Sequence, residues 1–150
     1  MYIRDAADHD VATLLDIWLR AVRATHAFLS EDDIQSLLPL VHEYLRSSVC
    51  SLCVLALDDG RPIGFMGLTG DEIDSLFIAP EHHRQGGGRL LVRYAVTTVG
   101  RPLRVSVNEQ NPGATKFYES CGFRVVGRSE TDGQGRPFPL LHMVQDGSGT

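Results

Sequence analysis

HHRQGGGRLL, residues 82–91, sets three consecutive glycines, Gly86 to Gly88, between basic residues and the start of an apolar run. Glycine in or just before a helix costs roughly 1 kcal/mol relative to alanine, so three in a row need a reason. Either the segment is a loose connection, or something approaches its backbone very closely. The strand-like run Ile73–Ile78 leads into the segment and stops at Pro80, and a helix from about Arg89 to Thr98 leads out of it. The first amides of a helix have no intrahelical partner, and the helix dipole places partial positive charge there. Without Cβ atoms, an anion such as a phosphate can come within hydrogen-bonding distance of that backbone. The charge agrees, with three arginines (84, 89, 93) against the single acid Glu81. A phosphate-bearing ligand is the physical reading. The P-loop pattern and the G-x-G-x-x-G dinucleotide fingerprint are both absent.

The rest of the chain reads as a soluble α/β protein. Its 150 residues favour one domain, read over 1–145, with Asp146 to Thr150 (DGSGT) as a disordered tail. Hydrophobic residues make up 43% and charged residues 22%, and the formal net charge of −5 argues against a nucleic-acid partner. No apolar stretch approaches the ~18 residues that cross a bilayer. The opening MYIRDAADHD turns acidic at once and lacks a signal-peptide core. We therefore expect a cytoplasmic protein with no membrane partner. Cys50 and Cys53 form a C-x-x-C, but a zinc site wants four ligands and only Cys121 remains. Buried or half-buried thiols, and no metal, are expected.

Periodicity supplies the elements. Met1 to Ala6 is extended. Val11, Leu14, Leu15, Trp18 and Val22 form one helical stripe, and Ile34, Leu37, Leu38, Val41 and Leu45 form a second behind the N-cap candidate Ser30. Strands follow at Leu52–Leu57, Ile63–Leu68 and Ile73–Ile78. The glycine-led helix comes next, then a strand at Leu103–Val107 and a helix at Pro112–Cys121. Two last strands lie near Arg124–Ser129 and Phe138–Val144. The order β-α-α-β-β-β-α-β-α-β-β predicts a mixed sheet with helices on both faces.

The second informative stretch is NPGATKFYESCGF, residues 111–123, in which Ala114, Phe117, Tyr118 and Cys121 share a helical face and Gly122 ends the helix. It begins 25 residues past Gly86. Together the two stretches resemble the GNAT superfamily of acyl-CoA-dependent N-acyltransferases. In that family [QR]-x-x-G-x-[GA] follows the fourth strand and N-x-x-A-x-x-[FL]-Y-x-x-x-G-F follows the fifth. The second pattern fits at Asn111, Ala114, Phe117, Tyr118, Gly122 and Phe123. The first fits only with His83 in place of Gln or Arg, followed by Arg84, Gln85, Gly86, Gly87 and Gly88. More narrowly, IGFMGL (63–68), LFIAP (76–80) and VNEQN (107–111) look like the YjaB-type group of bacterial acetyltransferases.

The resemblance implies a fold whose fourth and fifth strands splay apart to admit the pantetheine arm of acetyl-CoA. The backbone of Leu76, Phe77 and Ile78 is then expected to pair with pantetheine, and one N–H there to polarise the thioester carbonyl. His83, Arg84, Gln85, Gly86, Gly87, Gly88 and Arg89 are expected around the pyrophosphate, with Asn111 on the pantetheine arm. Tyr118 takes the general-acid position beside the leaving thiolate. The strand-five Glu used as base by some relatives is Ser106 here, which cannot serve. Glu72, Asp74 and His26 stay open as candidate bases on the acceptor side, with Glu109 and His142 behind them. The acceptor is the primary amine of a small molecule or of a protein or peptide lysine, and the chain is a monomer or homodimer. The rival reading is an acyl-CoA-binding regulatory module without turnover.

Overall fold

Ser30 shows how closely sequence dictates structure here. Its hydroxyl accepts from the Asp33 amide at 3.0 Å while the Asp33 carboxylate accepts from the Ser30 amide at 3.0 Å. This reciprocal cap starts a helix with three acids in its first turn, where the dipole favours them. The computed structural model describes residues 1–47 and 50–145; the tail expected to be disordered lies outside them. The strands are β1 (Tyr2–Asp5), β2 (Ser51–Ala56), β3 (Pro62–Thr69), β4 (Glu72–Ile78), β5 (Arg104–Asn108), β6 (Phe123–Ser129) and β7 (Leu140–Gln145). The helices are α1 (Val11–Thr25), α2 (Glu31–Arg46), α3 (Gly87–Val99) and α4 (Pro112–Ser120). The predicted order holds. The predicted edges are off by one or two residues, and α3 starts at Gly87, so two of the three glycines lie inside the helix.

The strands form one seven-stranded sheet in the order β1-β2-β3-β4-β5-β7-β6. Alternation along β2 and β3 sorts the core to its two faces. Val54, Ala56 and Phe65 meet Leu14, Ile17, Trp18 and Val22 of α1. Cys53, Leu55 and Met66 meet Leu91, Val92 and Ala95 of α3. The C-x-x-C is therefore divided: Cys53 is buried on the α3 side, while Cys50 lies against Tyr44 of α2. Both are unpaired thiols, as is Cys121.

Two features of β4 prepare the site. Its parallel pairing with β5 runs for only two registers, Glu72 with Arg104 and Ile73 with Val105, after which the strands separate. Its pairing with β3 skips Asp74, because Gly67 faces Ser75 and Leu68 faces Ile73. Asp74 is thus the extra residue of a bulge. Strict alternation, which would put Glu72 and Asp74 on one face, fails at this point. The bulge instead puts Ile73 and Leu76 in the same core and turns Ser75 to Tyr44, whose hydroxyl lies 2.8 Å away.

One ion pair holds the sheet's first edge to α1. Asp10, 2% exposed, accepts from Arg4 at 2.8 and 3.0 Å and from the Ala7 amide at 2.8 Å. The Arg4 bonds hold its carboxyl below the usual carboxylate range. A carboxyl with a depressed folded value stabilises the fold above its unfolded value and loses that contribution as pH falls through the folded value. Unfolding free energy from urea titrations should therefore drop below about pH 4, and Asp10→Asn should flatten that limb. Equal acid sensitivity in the two proteins would remove Asp10 from this role.

Candidate functional site

The gap between β4 and β5 is walled by the end of α1, the loop after β4, the start of α3 and the length of α4. An outer cavity of about 560 Å³ runs along the glycine segment, and an inner one of about 200 Å³ runs between the two strands. His26, Leu76, Phe77, Asn111, Ala114 and Tyr118 line both. The structure thus brings together the tyrosine, the asparagine, the β4 segment and one candidate base.

The β4 edge exposed to the gap follows from strand geometry. The Ala79 amide donates to the Ile63 carbonyl at 2.8 Å, so residues 79 and 77 turn their backbone groups toward β3. Leu76 and Ile78 turn theirs toward the gap. Phe77 therefore offers only its side chain, which packs at 5.6 Å on Phe65 and 6.4 Å on His26. The expected backbone role of Phe77 does not fit this alternation.

The glycine segment turns the chain into α3, and each glycine acts differently. Arg84 (φ 63°) and Gly86 (φ 86°) adopt left-handed conformations that turn the chain. Gly86 is the N-cap and gives no side-chain cap, and the first turn holds no acid. The amides of Gly87, Gly88 and Arg89 precede the first helical bond, Leu90 N–H to Gly86 O at 3.0 Å. A Cβ on Gly87 would lie 2.6 Å from Leu55 Cδ2, and one on Gly88 3.0 Å from Phe117 Cζ. Close packing of the helix on buried Leu55 demands glycine at 87, whereas the neighbour at 88 is the end of the half-buried Phe117 ring.

The side chains of this segment are largely engaged with other protein groups. His83 Nε2 donates to the Ile78 carbonyl at 2.8 Å, which explains how histidine is accommodated at the mismatched motif position. Gln85 meets His82 at 3.2 Å and stays off the cavity lining. Arg89 is turned to Ser120 at 3.0 Å, leaving only its amide for a ligand. Arg84 lines the outer cavity without an ion pair among the described residues.

On the far wall, Pro112 opens α4 and Asn111 caps it, its Oδ1 accepting from the Ala114 amide at 3.3 Å. Asn111 lines both cavities. Two turns on, Tyr118 is 6% exposed, with its ring edge-on to Phe117 at 5.1 Å and Phe123 at 5.3 Å. Its hydroxyl makes no hydrogen bond among the described residues. Burial pushes its pKa up, so it stays protonated at neutral pH.

The candidate bases separate. Glu72 lies 3.6 Å from Arg104 and lines neither cavity. Asp74 lines the inner cavity and accepts from Thr69 Oγ1. Glu109 is paired with Arg128 at 2.6 Å. His142 spends both ring nitrogens on Ser106 (2.9 Å) and Ser129 (2.6 Å). His26 follows the last residue of α1 on the rim of both cavities, and burial lowers its pKa.

Sequence reasoning missed several neighbours. Thr25 lines the outer cavity and bonds His26. Phe28 and Phe138, 5.7 Å apart, join the α1–α2 turn to the β6–β7 connection. The adjacency of Thr25 and His26 in THAFL, residues 25–29, held the first signal; the second pairs residues far apart in sequence.

Strands that part beside an uncapped helix N-terminus, with a buried phenol between them, define a fold built to hold an extended phosphate-bearing cosubstrate. The model of the acetyltransferase (GNAT) family matches residues 12–123, and the chain belongs to that family. It is 43% identical over 142 residues to the peptidyl-lysine N-acetyltransferase YjaB of Salmonella typhimurium (strain LT2), covering 95% of this chain and 96% of that protein. The solution structure of apo-form YjaB from Escherichia coli matches with a TM-score of 0.89 at 39% identity, covering 97% of each chain. The PaiA N-acetyltransferase of Thermoplasma acidophilum, in complex with coenzyme A, matches with a TM-score of 0.78 at 25% identity, over 97% of this chain and 98% of that one. This chain is an N-acetyltransferase.

Proposed function

We propose that residues 1–145 form one catalytic domain that moves the acetyl group of acetyl-CoA directly to a primary amine, with a protein or peptide lysine as the acceptor. The observation that carries the reading is the backbone edge of Leu76 and Ile78 beside the uncapped start of α3. That edge pairs with nothing on β5 beyond Ile73, and only its Ile78 carbonyl is taken, by His83. The pantetheine arm adds to that edge as a strand would. The amides of Gly87, Gly88 and Arg89 receive the pyrophosphate, with Arg84 as the nearby cation. The NH₂ of Asn111 meets the arm from the other side. The names of the YjaB relatives support lysine as acceptor. The net charge of −5 agrees with a cationic substrate, and the unpaired thiols agree with a cytoplasmic location. No described helix is long and apolar enough to cross a membrane. We take the working unit to be a monomer or homodimer that needs no metal.

In this mechanism a neutral amine attacks the thioester carbon, and a β4 N–H stabilises the oxyanion, worth about 3 kcal/mol. Tyr118 protonates the departing thiolate. Burial among apolar walls raises the Tyr118 pKa, and the same desolvation would raise that of a thiol held beside it. Acetyl-CoA at 100 times its Kd should stabilise the fold by about 2.7 kcal/mol and raise Tm by roughly 5–10 °C. An unchanged Tm at saturation would overturn the reading.

A further inference from the structure

We propose that His26 Nε2 is the base that deprotonates the attacking amine, with Thr25 as the positioning residue that fixes the imidazole tautomer. The proposal rests on the transferase reading above and deepens it. The Thr25 hydroxyl lies 2.8 Å from the Ala21 carbonyl and 2.8 Å from His26 Nδ1. A carbonyl only accepts, so the single hydroxyl proton goes to Ala21. The contact to Nδ1 must then run the other way, from Nδ1–H to Thr25 Oγ1. A neutral imidazole carries one N–H, so Nε2 holds the lone pair.

The setting suits a base. The ring stands between Phe28 at 5.3 Å and Phe77 at 6.4 Å, and lines the same two cavities as Tyr118. Its Nε2 has no protein partner among the described residues. Burial keeps the ring neutral near pH 7. The titratable groups sharing its cavities are Asp74 of β4, Tyr118 of α4, Arg89 of α3, and His82, His83 and Arg84 of the loop. Glu72, Glu109 and His142 are held by Arg104, Arg128 and two serines respectively.

The step balances without a further reactant. The amine nitrogen forms a bond to the thioester carbon, and the carbonyl pair moves onto oxygen. That nitrogen, now cationic and acidic, gives its proton to His26 Nε2. The oxyanion pair re-forms C=O as the C–S bond breaks, and sulfur takes the Tyr118 proton. The imidazolium proton returns to the phenolate through water, leaving the amide and CoA thiol.

Two readouts test this on the full chain. Imidazole ¹⁵N shifts of the ligand-free protein should show a protonated Nδ1 and a bare Nε2 on His26. Thr25→Val should shift the proton toward Nε2, and Thr25→Ser should restore the wild-type pattern. With acetyl-CoA and a lysine peptide, His26→Gln should lower kcat about 100-fold and abolish the acid limb of the kcat–pH profile. Its acetyl-CoA Kd should change less than about twofold. Thr25→Val should lower kcat about 10-fold, and Thr25→Ser should recover it. A protonated Nε2 in the wild type overturns the proposal, as does His26→Gln with its kcat and acid limb intact. A wild type that binds acetyl-CoA without transfer counts against the base role while the tautomer result stands apart. Failure to bind acetyl-CoA at all counts first against the transferase reading.

Discussion

Replacing Tyr118 by phenylalanine should lower kcat about 100-fold or more, while fold stability and acetyl-CoA affinity stay close to wild type. The ring is held by Phe117 and Phe123, and those edge-on contacts survive the change. The hydroxyl makes no hydrogen bond among the described residues, so its removal orphans no buried partner, and stability should move by less than about 0.5 kcal/mol. What is lost, on the proposed mechanism, is the proton that Tyr118 would give to the departing sulfur. Burial raises the phenol pKa above its ordinary value, so Tyr118 stays protonated through neutral and mildly alkaline pH. The wild-type kcat profile should accordingly show no basic limb from this residue below about pH 10. Thiol release under saturating acetyl-CoA and lysine peptide measures the effect, and a calorimetric Kd checks binding. Turnover undiminished in the variant would remove Tyr118 from the acid role.

Local rules made the frame legible. Ser30 with Asp33 spelled a capped helix, Asn111-Pro112 spelled the start of α4, and Gly122 spelled its end (φ 90°). What stayed hidden depends on pairing between distant segments. The bulge at Asp74 exists because β3 and β4 pair with different spacing on either side of it, and nothing in EIDSLFI announces that shift. Which of Leu76, Phe77 and Ile78 turns its backbone to the gap is decided by one bond, from Ala79 to Ile63. The fates of Glu72, Glu109 and His142 were unreadable for the same reason, since each is held by a residue from another strand. Sequence named the candidates; the register of the sheet sorted them.

The glycines of residues 86–88 should separate when each is replaced by alanine, because three different constraints act on them. Gly86 sits at φ 86° with no atom within 4 Å of where an alanine Cβ would lie, so alanine there meets only backbone strain, about 1 kcal/mol. Gly87 has ordinary helical geometry, but its Cβ would lie 2.6 Å from Leu55 Cδ2, and Leu55 is fully buried. Leu55 cannot yield without disturbing the sheet, so the start of α3 must lift. Overpacking of this kind costs about 2 kcal/mol, and alanine's helix propensity recovers little of it in a first turn. Lifting α3 also moves the Gly87, Gly88 and Arg89 amides together, so acetyl-CoA Kd should rise at least 10-fold, the equivalent of about 1.4 kcal/mol. At Gly88 the neighbour is Phe117, half-buried and 3.0 Å from the added carbon, and it lines the outer cavity. That ring can swing aside, so Gly88→Ala should spare stability and weaken binding. Urea unfolding and acetyl-CoA titration of the three variants would resolve the series. If Gly87→Ala were as stable as wild type and bound acetyl-CoA as tightly, the packing account of the second glycine would fail, and ligand approach alone would have to explain why the chain needs it.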